Sequence, residues 1–266
     1  MIAIITASMT SVGALELQRA ATDSGIDLMI YLVDDPATPD KITRADSVMY
    51  RIGPLSYAKY ENLFTRMVDS PARRQLGDTL VAFDKCRSYE ILDSAGIPMP
   101  ESVIIERVSD PPFLPGVIKI PRSNQGKGVI LVENPIEYTN NVTELLNGDK
   151  LLFQQYIAES KGNDKRLIIH KNKLIAAMKR TALSDEFRAN LHLGGVASVY
   201  EPTQKEIDIA ILAVDAHRLP YAGVDIIDSN KGPLVLEINP SPGFYISTVS
   251  GIDVAAQLLK HTTNKD

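Results

Sequence analysis

Over the first 80 residues, short unbroken apolar runs alternate with stretches whose apolar positions recur at helical spacing. Residues 2–6 (IAIIT) and 28–33 (LMIYLV) are apolar enough for buried parallel strands, and the segment 12–24 between them reads as a helix stopped by Gly25. A third run at 46–52 predicts another strand, with a helix around 57–68 behind it. Then the pattern changes. A helix over 82–95 is closed by Gly96, and SVIIE (102–106) reads as a strand before the stiff connector PPFLP (111–115). Two strands, GVIKI and GVILVE, flank the glycine-bearing turn PRSNQGK; a helix over 135–146 and the strand LLFQQYI follow. KRLIIH-KN-KLIAAMKR is a hairpin with a two-residue turn, whereas 181–195 lacks periodicity and reads as a loop. Thr203 and Glu206 have capping-box spacing and open a helix that runs to Leu219. Nothing repeats internally, which excludes a solenoid.

The densest chemistry falls in the last hairpin, YAGVDIIDSNKGPLVLEINPSPGF over 221–244. Side chains alternate along a strand, so Glu237 and Asn239 share one face, while Leu236 and Ile238 share the other. In the register that pairs Asp228 with Leu234, Asp225 falls opposite Glu237. Two carboxylates and an amide oxygen then converge, a hard-oxygen set suited to Mg²⁺. Like charges so close repel unless a cation or a proton lies between them. The alternative is a polar, solvated sheet face. The acids interrupt otherwise apolar runs and a Pro-Ser-Pro-Gly turn follows at once, which favours the metal.

Composition narrows the classes. The 266 residues suffice for a core with subdomains, and 44% hydrophobic with 23% charged residues is ordinary for a soluble globular protein. A net charge of −5 argues against sequence-independent nucleic-acid binding, so any polyanion must be met by a local basic cluster and a metal. The single cysteine, Cys86, rules out an intramolecular disulfide, suits a reducing cytoplasm and sits in a helical stretch as a packing residue. MIAIIT lacks the features of a signal peptide and no apolar run spans a membrane, so the expected location is the cytoplasm and no membrane partner is expected. The first βα loop, ASMTSVG, is not a dinucleotide fingerprint, which argues against a Rossmann cofactor site. Arg51, at the third strand's end, is read either as an orienting group for a substrate anion or as an ordinary surface arginine. The four histidines lack spaced partners and are left out of the site.

With its Asp-x11-Glu-x-Asn spacing, AGVDII…GPLVLEINPSPGF resembles the signature hairpin of ATP-grasp ligases, and within them the RimK-like branch of ribosomal-protein and peptide α-L-glutamate ligases. The resemblance covers nearly the whole chain and is strongest over 116–251. It implies an α/β fold with α+β lobes. A pre-ATP-grasp α/β domain would occupy 1–80, followed by an ATP-grasp domain over 81–266. In the latter a small ATP-binding lobe or lid (97–153) and a C-terminal metal-binding lobe (154–266) would sandwich ATP.

The residues bear this out unevenly. Lys119 lies inside an apolar strand, where a lysine either snorkels at an edge or meets an anion; the resemblance places it on the α/β-phosphates. Ser123, Gly126 and Gly128 match the family's S-x-x-G-x-G, a loop whose backbone N–H groups can turn toward phosphate. It is not a Walker A loop, because Lys127 precedes Gly128 and a strand follows. By resemblance, Gln155 and Tyr156 flank the adenine in the hinge, where relatives carry Glu at the position of Gln155, and Asp164 contacts the nucleotide. Arg166, Arg180, Arg188 and Asn190 form the implied catalytic ring around phosphates and acceptor carboxylate. Asp225, Glu237 and Asn239 are the implied ligands of Mg²⁺, with Mn²⁺ as a substitute.

The implied activity is ADP-forming ligation of a carboxylate and an amine through an acyl phosphate. The main expectation is addition of L-glutamate to the C-terminal carboxylate of a peptide or protein, a ribosomal protein among the possibilities, by a homo-oligomer (tetramer or dimer). A ligase for a small molecule or an amino-group carrier protein, as in lysine biosynthesis, is the alternative within the class. An ATP-binding regulatory module without turnover is the alternative outside it. Where relatives continue with an acidic, glycine-containing turn, this chain has SPGFYIST, so Phe244 and Tyr245 are expected to reshape an acceptor site.

Overall fold

The computed structural model describes residues 1–53, 56–123, 128–146, 148–183 and 186–263. Three sheets organise it. The first is parallel, with β1 (Ile2–Thr6) between β2 (Leu28–Leu32) and β3 (Ser47–Arg51). Strand β1 is buried throughout, whereas β2, at the sheet edge, is only partly covered and leaves Met29 exposed. Helix α1 (Val12–Ser24) is capped by the Ser11 side chain and stops at Gly25, whose positive φ of 65° admits the left-handed turn that a side chain would strain.

Residues 71–94 depart from the expected single helix over 82–95. A short α2 (Thr38–Ile42) and α3 (Tyr57–Arg66) are followed by α4 (Pro71–Phe83), with Ser70 as its N-cap and Pro71 in its first turn. Asp84 then breaks the helix. Its backbone is extended, and its carboxylate accepts from the Cys86 and Arg87 amides to start α5 (Lys85–Ser94). Cys86 is buried, and burial pushes its thiol up to about 12, as suits a packing residue.

The second sheet is antiparallel, in the order β4 (Ser102–Ile105), β7 (Leu151–Gln155), β5 (Gly116–Lys119), β6 (Val129–Val132). Helix α6 (Pro135–Leu145) covers one face through Tyr138 and Val142, which pack on Phe153 and Ile118. The third sheet is also antiparallel, in the order β10 (Val196–Val199), β9 (Lys173–Thr181), β8 (Asn163–His170), β11 (Tyr221–Ser229), β12 (Gly232–Asn239). Helix α7 (Gln204–Ala216) carries both halves of the capping box and lies beneath this sheet, its Ile209, Ala213 and Val214 in one core with Leu167, Val224, Ile226 and Val235. Each such fully buried aliphatic side chain contributes about 1.5–3 kcal/mol. The other face of the third sheet is divided: Ile168, Ala176, Met178 and Tyr221 pack in one core with α8 (Tyr245–Ser250) and α9 (Val254–Thr263), while Asp164, Arg166, Arg180 and Asp225 line a cleft. Both helices return to the first sheet, sharing a core with Ile2, Ile4 and Leu17.

The last hairpin differs from the expected register in an instructive way. Its turn is tight, with Ser229 opposite Gly232 and Asp228 opposite Pro233 rather than Leu234. An extra residue, Leu236, bulges between the Ile226–Val235 and Asp225–Glu237 pairs. The bulge restores the pairing of Asp225 with Glu237. It also turns Leu236 to the side of Glu237, so that Val235 and Ile238, three positions apart, both face α7.

Candidate active site

A cleft runs between the second and third sheets and has two connected chambers. The first is lined by Val117, Val129, Ile157, Ile227 and Leu236, with Tyr156, Asp164, Asp225 and Glu237 around them. The second lies toward α4 and α5 and adds Arg166, Arg180, Asn239 and Tyr245. Lys85, Lys119, Ser123, Asn190 and Glu237 line both, which makes them the seam.

Strand alternation and register place the charged groups of the large sheet. Asp164 and Arg166 are two apart on β8 and face the cleft, while Leu167 and Ile169 face α7. Arg166 is paired in register with Asp225, and Arg180 with Asp164. The guanidinium of Arg166 donates from Nε to Asp225 Oδ1 and from Nη2 to Oδ2, each at 2.6 Å. Arg180 donates to both Asp164 oxygens at 2.6 and 2.7 Å and also to Asp225 Oδ2 at 2.8 Å. Burial opposes ionisation of Asp225, but the two arginines outweigh it and hold the carboxylate well below its ordinary range. Asp164 is pushed upward, because burial there outweighs the pull of Arg180.

Across the cleft the small sheet presents Lys119. Only 5% exposed, its Nζ donates to Gln154 Oε1 at 2.6 Å, and Gln154 in turn donates to Ser102 Oγ at 3.0 Å. Burial lowers the ammonium's pKa to about 8 against the raising pull of Glu237. Lys85, at the start of α5, donates to the Ser123 carbonyl at 2.6 Å and is likewise lowered by burial. Neither lysine is ion-paired among the described residues.

The remaining expected residues are placed as follows. Ser123 lies at the seam under Lys85, and Gly128 closes its loop by accepting from the Ile120 amide, with a φ of 63° and no room for a side chain against Ile120. Gly126 and Lys127 lie outside the described residues. Gln155 is exposed at the rim beside Tyr156, and their amides are spent on Glu101 and Pro115 carbonyls. The next amide, Ile157 N–H, has no partner among the described residues. Arg188 is folded back on Glu186 at 2.8 Å, beside Asn190. Arg51 is not a free surface arginine: it donates to the Pro242 carbonyl at 2.8 Å and stacks on Phe244 at 4.7 Å, joining the first sheet to the turn after β12. Phe244 is therefore buried away from the second chamber, and Tyr245 alone of the pair lines it. Gln154 and Ile157 belong to the hinge segment expected by resemblance, whereas Lys85 and Leu236 line the cleft although the sequence reading did not place them there.

The donor set was tested against a divalent cation. Asp225 Oδ1 accepts one hydrogen bond and keeps a lone pair; Asn239 Oδ1 accepts one from the Ser241 amide; Glu237 accepts none among the described residues. Among the described residues no group of three or more His, Cys, Asp or Glu is arranged to hold an ion unaided, and here the third oxygen is an amide. Two carboxylates and one amide fit Mg²⁺, which keeps positions for water and phosphate.

Solved structures that share this fold include ATP-grasp proteins. The D-cycloserine synthetase DcsG superposes with a TM-score of 0.74 over 98% of this chain and 97% of its own, at 19% identity. The ATP-grasp ligase PsnB, complexed with minimal precursor, Mg and ADP, gives 0.66 over 97% and 95% at 16% identity. At those identities the likeness shows the fold alone. Fold, cleft and comparisons together define an ADP-forming carboxylate–amine ligase of the ATP-grasp class. The family model described as RimK-like ATP-grasp domain matches residues 82–262. A "probable alpha-L-glutamate ligase" of Xanthomonas euvesicatoria pv. vesicatoria (strain 85-10) is 37% identical over 233 residues, 83% of this chain and 78% of that protein. The chain belongs to the RimK-like ATP-grasp family. Among the described residues, no helix is long and apolar enough to cross a membrane.

Proposed function

We propose that this protein adds L-glutamate to the C-terminal carboxylate of a peptide or protein, using ATP. The apolar slot of the first chamber would take the adenine, with the Ile157 N–H free to donate at its edge. Lys119, Lys85 and the Ser123–Gly128 loop would hold the polyphosphate. Asp225, Glu237 and Asn239 would hold Mg²⁺, which when bound neutralises phosphate charge and orients the triphosphate.

In the second chamber an acceptor carboxylate oxygen would attack the γ-phosphorus, and the bond to ADP would break. The amine nitrogen of glutamate would then attack the acyl carbonyl; phosphate would leave, and the amine would lose its proton to the departing phosphate or solvent. Arg166 and Arg180 are fixed at the large-sheet wall, and Asn190 at the seam. They would hold two anions in line that otherwise repel, and such positioning with charge stabilisation is most of what phosphoryl transfer demands of a protein. No side-chain nucleophile is needed.

The observation that carries the reading is the opposition across one cleft of two lysines unpaired with carboxylate and a carboxylate pair on a bulged hairpin. The test is incubation with Mg²⁺, ATP and single amino acids, with and without peptide acceptors, following ADP and product mass. Glutamate-dependent ADP release with a glutamylated peptide is expected; AMP as product, or no dependence on an acceptor carboxylate, would overturn the proposal.

A further inference from the structure

The turn that follows β12 carries the Asn239 oxygen, and other parts of the chain hold it in shape. Ser241 N–H donates to Asn239 Oδ1 at 3.0 Å, which engages one lone pair of the amide and leaves the other for a ligand. Pro242 packs over Gly223, the residue paired with Asn239 in register; a Cβ at Gly223 would lie 3.1 Å from the Pro242 Cβ. From the first sheet, Arg51 at the end of β3 donates from Nη2 to the Pro242 carbonyl at 2.8 Å and lays its guanidinium over the Phe244 ring. Gly13, in the first turn of α1, leaves room for that guanidinium, since a Cβ there would lie 2.7 Å from Nη2. The other terminal nitrogen, Nη1, is buried with no hydrogen-bond partner among the described residues. A buried orphan donor costs stability, so stability alone is a poor reason for an arginine at this place.

Resting on the ligase reading above, we infer that Arg51 is a positioning residue for the metal: through this one guanidinium the first sheet holds the turn 240–243 in the shape that presents Asn239 Oδ1 to the ion shared with Asp225 and Glu237. The requirement is for an arginine and not merely for a cation. Its planar fork donates to a carbonyl while its face lies on a ring, which a lysine ammonium, a point charge on a flexible stem, does not do at once. The first sheet supplies none of the three oxygens, yet it takes part in the metal site. A second tie between the same parts of the molecule lies away from the turn: Arg19 on α1 donates to Asp253, just before α9, at 2.8 Å. It serves as the control for simple docking of the first sheet.

The test is calorimetric binding of a non-hydrolysable ATP analogue with and without Mg²⁺, which needs no turnover. Mg²⁺ should strengthen binding to the wild type. Arg51→Met should shrink that gain by about tenfold or more, the scale for groups that orient a metal ligand without touching the metal, while metal-free affinity and the unfolding temperature hold. Arg51→Lys should not restore the gain. Gly13→Ala keeps the arginine but pushes Nη2, the far end of a flexible side chain, off the Pro242 carbonyl, so the fold should persist and the gain should again shrink. Arg19→Met should leave the gain unchanged. An equal gain in wild type, Arg51→Met and Gly13→Ala, or a gain lost as fully in Arg19→Met, would overturn this inference and leave the ligase reading standing. A wild type that does not bind the analogue, or binds it without regard to Mg²⁺, would take down both.

Discussion

On the small-sheet wall of the cleft, Lys119 is buried, and among the described residues the one partner of its ammonium is a neutral amide, Gln154. On the large-sheet wall, Arg180 is buried and Arg166 half-buried, but each is held bidentately by a carboxylate. The two walls thus spend their charge differently. A cation without a counter-ion gains most when a polyanion arrives, because burial has already stripped its water. A cation locked to carboxylates gains less from a ligand and serves instead to hold geometry, at a fixed distance from the metal set. Asp225 belongs to both functions, since it anchors the arginines and lies opposite Glu237 in the strand register. The contrast separates what receives the nucleotide from what aligns the reaction.

Breaking the locked wall should have the largest effect. Asp225→Asn leaves Arg166 without its partner and Arg180 with only Asp164, and removing one member of a buried pair costs about 3–5 kcal/mol. Chemical denaturation measures this, and a loss under 1 kcal/mol would mean that the arginines reach water more easily than their burial indicates. Glu237→Gln should be gentler on the fold, because among the described residues the Glu237 carboxylate takes part in no hydrogen bond that could be lost. Turnover should nevertheless fall about 100- to 1,000-fold, the scale for removing one preorganised electrostatic group. Undiminished turnover would refute the metal assignment.

How much of this was legible beforehand follows from which interactions are local. The period-two alternation of a strand was enough to set Glu237 and Asn239 apart from Ile238, and the spacing of Thr203 and Glu206 was enough for the capping box. Leu236 was assigned to the wrong side because a bulge breaks the alternation, and nothing in LVLEIN marks where a chain will insert its extra residue. Lys85 was missed because its role depends on Asp84 ending one helix and starting another, in a stretch with a continuous helical pattern. The Arg166–Asp225 pair joins residues 59 apart, and strand order, which no local pattern encodes, decides it. Phe244 and Tyr245 looked equivalent in sequence; Arg51, from another sheet, covers the first and leaves the second open.

The receiving wall makes a smaller and opposite prediction. Lys119→Met removes a buried charge while keeping an apolar stem of similar shape, so stability should hold or rise. Nucleotide affinity should fall about 10- to 100-fold, the worth of a hydrogen bond to a charged group, by calorimetric titration. Loss of stability comparable to that of Asp225→Asn would erase the distinction between the walls.

The mildest effect is the one that pH exposes. Burial lowers Lys119 from the ordinary 10.5 to about 8, so between those values the unfolded chain holds more protons than the folded one. Across that window this group's contribution to stability rises with pH. Nucleotide binding runs the other way. Phosphate favours the charged ammonium, so above pH 8 the protein must take up a proton to bind, and affinity should weaken by up to about tenfold per pH unit. Lys85 is lowered in the same sense and adds to the slope. Titrations near pH 9 in buffers of different ionisation enthalpy should show proton uptake, reduced in Lys119→Met. Affinity that stayed flat from neutral pH to well above 8 would show that the ammonium never loses its proton, and that its wall, like the other, holds a charge already stabilised before any ligand arrives.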